Sequence, residues 1–131
     1  MFELTIKNEV YQFNFGMGFL REINKTVTAP VDGTKDVTQN IGLRYKALCL
    51  YDNDLEALVD VLNAANMYQK PRVTRGLLDS YIDDPETDID ALFADVIDFL
   101  KKTNATKKTM EQVEGIAATQ KAQMEAKAAA N

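Results

Sequence analysis

Apolar residues change their period near the start of the chain. Phe2, Leu4 and Ile6 alternate with polar neighbours, and Val10 or Tyr11, Phe13 and Phe15 resume the alternation. Residues 1–15 therefore read as a β-hairpin with its polar turn at Asn8-Glu9. From Phe19 the spacing becomes three and four, through Leu20, Ile23 and Val27, which is one face of a helix. Gly16 and Gly18 sit at the junction, where a backbone passing from strand to helix needs freedom or close packing. Phe13, Phe15 and Phe19 crowd the same corner, so it is predicted to seed the core, with Phe15 and Phe19 buried.

Further on, residues 28–37 carry Pro30 and Asp32-Gly33 with little periodicity and read as a loop. Thr38 or Asn40 is expected to cap a helix whose face holds Ile41, Tyr45, Leu48 and Cys49. Asp52-Asn53-Asp54 stops it and offers a new cap. The most regular stripe follows at Leu55, Leu58, Val59, Leu62 and Ala65, and Pro71 ends that pattern. Thr74 opens a short helix with Leu77, Leu78, Tyr81 and Ile82, closed by Asp83-Asp84-Pro85. Thr87-Asp88 begins another, striped by Ile89, Leu92, Phe93, Val96 and Leu100, with Lys101-Lys102 at its negative end. The predicted fold class is α+β: an N-terminal hairpin, a mostly helical body of about four to five helices, and a helix-prone C-terminal extension. Residues 1–104 form the globular domain. Residues 105–131, rich in Ala, Lys, Gln and Glu, keep only a thin stripe at Met110, Val113, Ala117 and Met124. Residues 110–131 are accordingly expected to be dispensable for folding.

Charge changes the picture in one respect. Residues 1–100 hold 9 Lys and Arg against 17 Asp and Glu, whereas residues 101–131 hold 6 against 3. An acidic body disfavours phosphate backbones, and the diluted lysines of the tail make a weak patch, so no nucleic-acid partner is expected. No apolar run approaches the roughly 20 residues that span a bilayer, and the N-terminus lacks the apolar segment of a secretory signal; no membrane partner is expected. The single Cys49 lies between Leu48 and Leu50 and reads as a small buried residue.

The chemistry of catalysis is thin. There is no histidine, no glycine-rich loop ahead of a lysine, no cysteine pair and no serine elbow. Acidic pairs occur at Asp52/Asp54, Asp83/Asp84, Asp88/Asp90 and Asp95/Asp98, but they fall at helix starts, turns and polar faces, without sustained ligand spacing. No enzyme activity, metal or cofactor is expected. The tyrosines Tyr45, Tyr51, Tyr68 and Tyr81 read as packing at the rim of the core. By these properties the chain is an interaction protein.

Phe13-Asn14-Phe15-Gly16-Met17-Gly18-Phe19-Leu20-Arg21-Glu22-Ile23, preceded by a hairpin, resembles the opening of the tail assembly chaperones of long-tailed phages and prophages of Gram-positive bacteria. Leu58 to Met67, Lys70-Pro71-Arg72-Val73-Thr74, Leu78 to Asp84 and Ile89 to Thr109 are similar to that family's later segments, so the resemblance covers about residues 1–109. It implies a protein of the bacterial host cytoplasm, absent from the mature virion, that binds the tape measure protein and recruits tail tube subunits. A homo-oligomer is expected beside those partners, since an edge strand or stripe left open in one subunit can be covered by the next. The alternative is a structural head–tail connector or minor tail protein. Helix-in-groove recognition of a helical client needs no catalysis. The expected contact residues are Leu77, Tyr81, Met110, Val113 and Met124, the methionines because their flexible side chains suit varied helices.

Overall fold

In the computed structural model, which describes residues 1–130, the chain first reverses at Lys7-Asn8. Both residues take positive φ, 52° and 68°, the pairing a two-residue hairpin loop needs to match the twist of its strands. This joins β1 (Phe2–Ile6) antiparallel to β2 (Glu9–Phe13). The turn thus lies one residue earlier than expected, and Glu9 pairs with Ile6. Burial sets that register: it places Phe2 opposite Phe13 and Leu4 opposite Tyr11, all on the core face, and turns Val10 outward.

Six helices follow among the described residues: α1 (Met17–Asn24), α2 (Gly42–Tyr51), α3 (Leu55–Asn66), α4 (Arg75–Asp83), α5 (Ile89–Lys102) and α6 (Lys107–Ala130). The architecture is α+β, as read from the sequence. The helix count exceeds four to five because the extension is itself a full helix. Between α1 and α2 the expected loop, residues 28–37, instead begins with β3 (Thr28–Pro30), which pairs with β4 (Thr38–Asn40), a stretch expected to cap the next helix, to form a second small hairpin. Its residues are exposed or half-buried, so no alternation marked them as strands. Among the described residues no helix is long and apolar enough to cross a membrane.

The strand-to-helix corner is a cluster of aromatic rings. Phe15 meets Phe19 edge-on at 5.2 Å, and Phe2 packs against Phe13 at 5.8 Å and Phe99 at 5.2 Å. Gly16 is the N-cap of α1 and Gly18 lies inside it, facing the Tyr68 ring. Helix α3 is the central element, packed against α1, α2, α4 and β2. Leu58, Val59, Leu62 and Ala65 are buried as predicted, while Leu55 in the first turn is half outside. Its N-cap Asp54 accepts from the Ala57 amide (3.2 Å), as Thr74 does from Leu77 (3.1 Å) and Asp88 from Ala91 (3.0 Å).

Helix α3 ends at Asn66, well before Pro71, and there the Asn66 side chain is fully buried and fully engaged. Its amide donates to the carbonyls of Gln12 (2.9 Å) and Pro71 (3.2 Å), and its Oδ1 accepts from the Val73 amide (2.6 Å) and Arg72 (3.0 Å). Helix α2 also departs from expectation. It buries Leu43, Ala47 and Leu50, whereas Tyr45 is exposed and Leu48 and Cys49 are half-buried. The helix is apolar on several sides, so spacing alone did not choose the face. Neither Thr38 nor Asn40 caps it; the Leu43 amide donates to Asn24 of α1 (2.9 Å). Gly42 permits that approach, since a β-carbon there would overlap the Ile23 carbonyl.

The first two turns of α6 pack against α2 and α5. Met110 and Val113 are fully buried, as is Thr106, whose hydroxyl donates to the Leu100 carbonyl at 2.6 Å. Residues 110–113 therefore belong to the core, contrary to the expectation that everything from residue 110 is dispensable. A sparse stripe suffices where a groove between two helices already waits for it.

Three outcomes follow for stability. Phe19→Ala is expected to cost about 3 to 5 kcal/mol, read as a lowered urea midpoint. Deleting residues 110–131 is expected to cost roughly as much, by removing Met110 and Val113, whereas deleting residues 115–131 leaves the thermal midpoint nearly unchanged. The third concerns Asp60 of α3, which bridges Lys46 of α2 (2.7 Å) and Arg75 of α4 (2.8 Å). Burial pulls its carboxyl upward, but the bonds from Lys46 and Arg75 outweigh that and hold it below the ordinary aspartate value of 3.8. Its stabilising contribution is complete above that value and is lost as pH falls through the depressed one. Asp60→Asn is expected to lower stability by about 1 to 2 kcal/mol near pH 7 and to flatten the acid limb of a stability–pH curve.

Candidate partner-binding surface

Beyond Val113 helix α6 leaves the body. Its stripe continues in the same register: Met110 is followed seven residues later by Ala117, which is half-buried, and after seven more by Met124, which the described residues leave exposed. Met124 is 72% exposed and Ile116 40%. Between this projecting helix and the end of α2 lies an open groove of about 590 Å³, the largest of the molecule's described clefts. One wall is Tyr51 and Asp52; the other is the α6 face of Ala117, Ala118, Lys121, Met124, Glu125 and Ala128. Seven-residue and three-to-four-residue steps put these side chains on one stripe, and the alanines leave room for a second backbone to come close.

The base of the groove is polar. Glu114 accepts from Lys101 of α5 at 3.1 Å, and that bond raises the Lys101 pKa. The Tyr51 hydroxyl is buried without a hydrogen-bond partner among the described residues. Burial first, and then the nearby Glu114 charge, push its pKa up. Lys121 and Glu125, higher on the groove, belong to none of the described ion pairs. The wall is therefore apolar along its centre, with one uncommitted charge of each sign.

The expected contact residues divide among three places. Met124 is in the open groove. Met110 and Val113 lie on the same stripe but inside the core, so the chain itself covers them. Leu77 and Tyr81 sit half-buried on α4, a helix that packs on α3 and β1 rather than beside the groove; Tyr81 borders a shallow cleft of about 140 Å³ with Thr5 and Ser80. Sequence reasoning did not single out Tyr51, Lys121 or Glu125 for this surface. The two seven-residue steps from Met110 through Ala117 to Met124 were a signal for the α6 face, but Tyr51 is brought there by tertiary packing alone.

The acidic pairs are accounted for locally. Asp54 and Asp88 cap helices, and Asp84 accepts from the Glu86 amide at 2.9 Å in the turn after α4. Among the described residues no group of three or more His, Cys, Asp or Glu side chains is placed to hold a metal ion.

The comparisons with known proteins agree with this picture of a binding protein. No curated protein and no solved structure matches the chain. A family model described as phage tail assembly chaperone protein, TAC, matches residues 3–114, which takes in the hairpin, all five body helices and α6 as far as its buried turns. With that match spanning most of its length, the chain belongs to the phage tail assembly chaperone family.

Proposed function

We propose that this protein binds the tape measure protein of a phage tail in the host cytoplasm, keeps its helical segments soluble, recruits tail tube subunits to it, and is absent from the finished particle. The reaction is association alone, with no catalytic step. Family membership supports the general role. The observation that carries the client surface is the open groove beside α6, with Met124 at its centre and a wall of small side chains. A long amphipathic client exposes apolar stripes in water. Laying such a stripe against alanine and methionine buries it without demanding one particular sequence. The folded body to Val113 acts as the platform, and the projecting half of α6 as the contact element.

Capture of a co-expressed tape measure protein tests this. It is expected to survive high salt, because apolar burial is not screened as exposed ion pairs are. Met124→Ser is expected to weaken capture several-fold, and deletion of residues 115–131 to abolish it while the body stays folded. Capture unaffected by that deletion would remove the groove from the client surface, and recovery of the protein in purified virions would favour a structural role instead.

A further inference from the structure

We infer that the projecting half of α6 is also a self-recognition element, and that a second copy of this chain closes the groove by laying its own α6 antiparallel along it. The inference stands on the charge pattern and exposure of residues 115–129. It does not depend on the client reading, and these residues lie beyond the part of the chain that matches the family.

The face that lines the groove is self-complementary. Lys121 and Glu125 both point along it, and neither is engaged in a described ion pair. A two-fold axis passing beside Gln123 sets Lys121 across from Met124 and Glu125 of the partner subunit, and the same contacts recur on the other side of the axis. The lysine stem then covers the thioether side chain while its ammonium reaches the carboxylate. Ala117 and Ala118 fall opposite Ala128 of the partner subunit, so the two helices can approach closely. A parallel pairing in register would instead place Lys121 against Lys121 of the partner subunit and Glu125 against Glu125 of the partner subunit. Charge therefore selects the antiparallel arrangement.

Two physical consequences support a second copy as the occupant. An isolated helical segment of about four turns is marginal in water, and the partner helix would bury the side that the body leaves open. A seam of alanine and one methionine also buries less than the roughly 1,200 Å² of a stable interface. The association is thus weak, with a dissociation constant on the order of 100 μM, and is displaceable. Because the groove holds one helix at a time, the second copy and a helical client compete for it.

Sedimentation equilibrium of the full chain, from about 5 to 500 μM, tests the inference. The parent is expected to show a monomer–dimer equilibrium. Lys121→Glu and Glu125→Lys each place two like-charged pairs across the axis, and either variant alone is expected to dimerise about tenfold more weakly. An equimolar mixture of the two restores both pairs in the mixed dimer and is expected to recover the parent's association. That rescue cannot come from altered stability of the single helix, which mixing leaves unchanged. Circular dichroism of each variant confirms that α6 stays helical. A parent that remains monomeric throughout, a dimer indifferent to both substitutions, or single variants that mixing fails to rescue would each overturn the inference.

Discussion

Asn66 is the point at which the two halves of the fold are joined. A buried amide offers two donors and two acceptor positions, and every one left empty costs as much as a lost hydrogen bond. Here all four are filled, by β2, by the carbonyl of Pro71 and by Arg72 and Val73. The hairpin is consequently pinned to the end of α3, an attachment reinforced by the Asn14 amide on the Ala65 carbonyl at 2.9 Å. A two-stranded hairpin is marginal alone. It persists because its apolar face lies on the helices and its outer edge is partly answered by an amide from α3. The same amide directs the chain out of α3 towards α4, so strand, central helix and connecting segment share one set of bonds.

Around that anchor, packing decides where the folded body stops. Helices α2 and α5 form a groove that accepts Met110 and Val113, and beyond it α6 runs into solvent. The family match ends at residue 114, one position after the last buried residue. The body carries what the family shares, whereas the projecting half of α6 carries the exposed Met124 and the charges of Lys121 and Glu125, which belong to none of the described ion pairs. The buried contacts of α6 thus lie in its first two turns, at Met110 and Val113.

The charge arrangement follows the same division. In the body, the better-shielded charges are committed: Asp60 ties α2, α3 and α4 through Lys46 and Arg75, and the acidic residues at helix starts cap backbone amides. On α6 beyond the core, Lys121 and Glu125 are exposed and belong to none of the described ion pairs.

The sequence by itself determined the local features. Alternation marked the hairpin, three-and-four spacing marked α3 and α5, and Asp54, Thr74 and Asp88 announced the helix starts they cap. Each depends only on residues a few positions apart, which is why it can be read from order alone. The spacing that puts Met124 on the stripe of Met110 was legible on the same ground. Only the tertiary structure decided the rest: which face of α2 is buried, that Asn24 rather than Thr38 or Asn40 caps it, that Gly42 admits α1, that Asn66 is a junction, and that Met110 and Val113 are core whereas Met124 is surface. Those three residues share one stripe on one helix, and nothing in their spacing separates them. What differs is the element lying opposite each, and that is fixed by contacts between residues far apart in the chain.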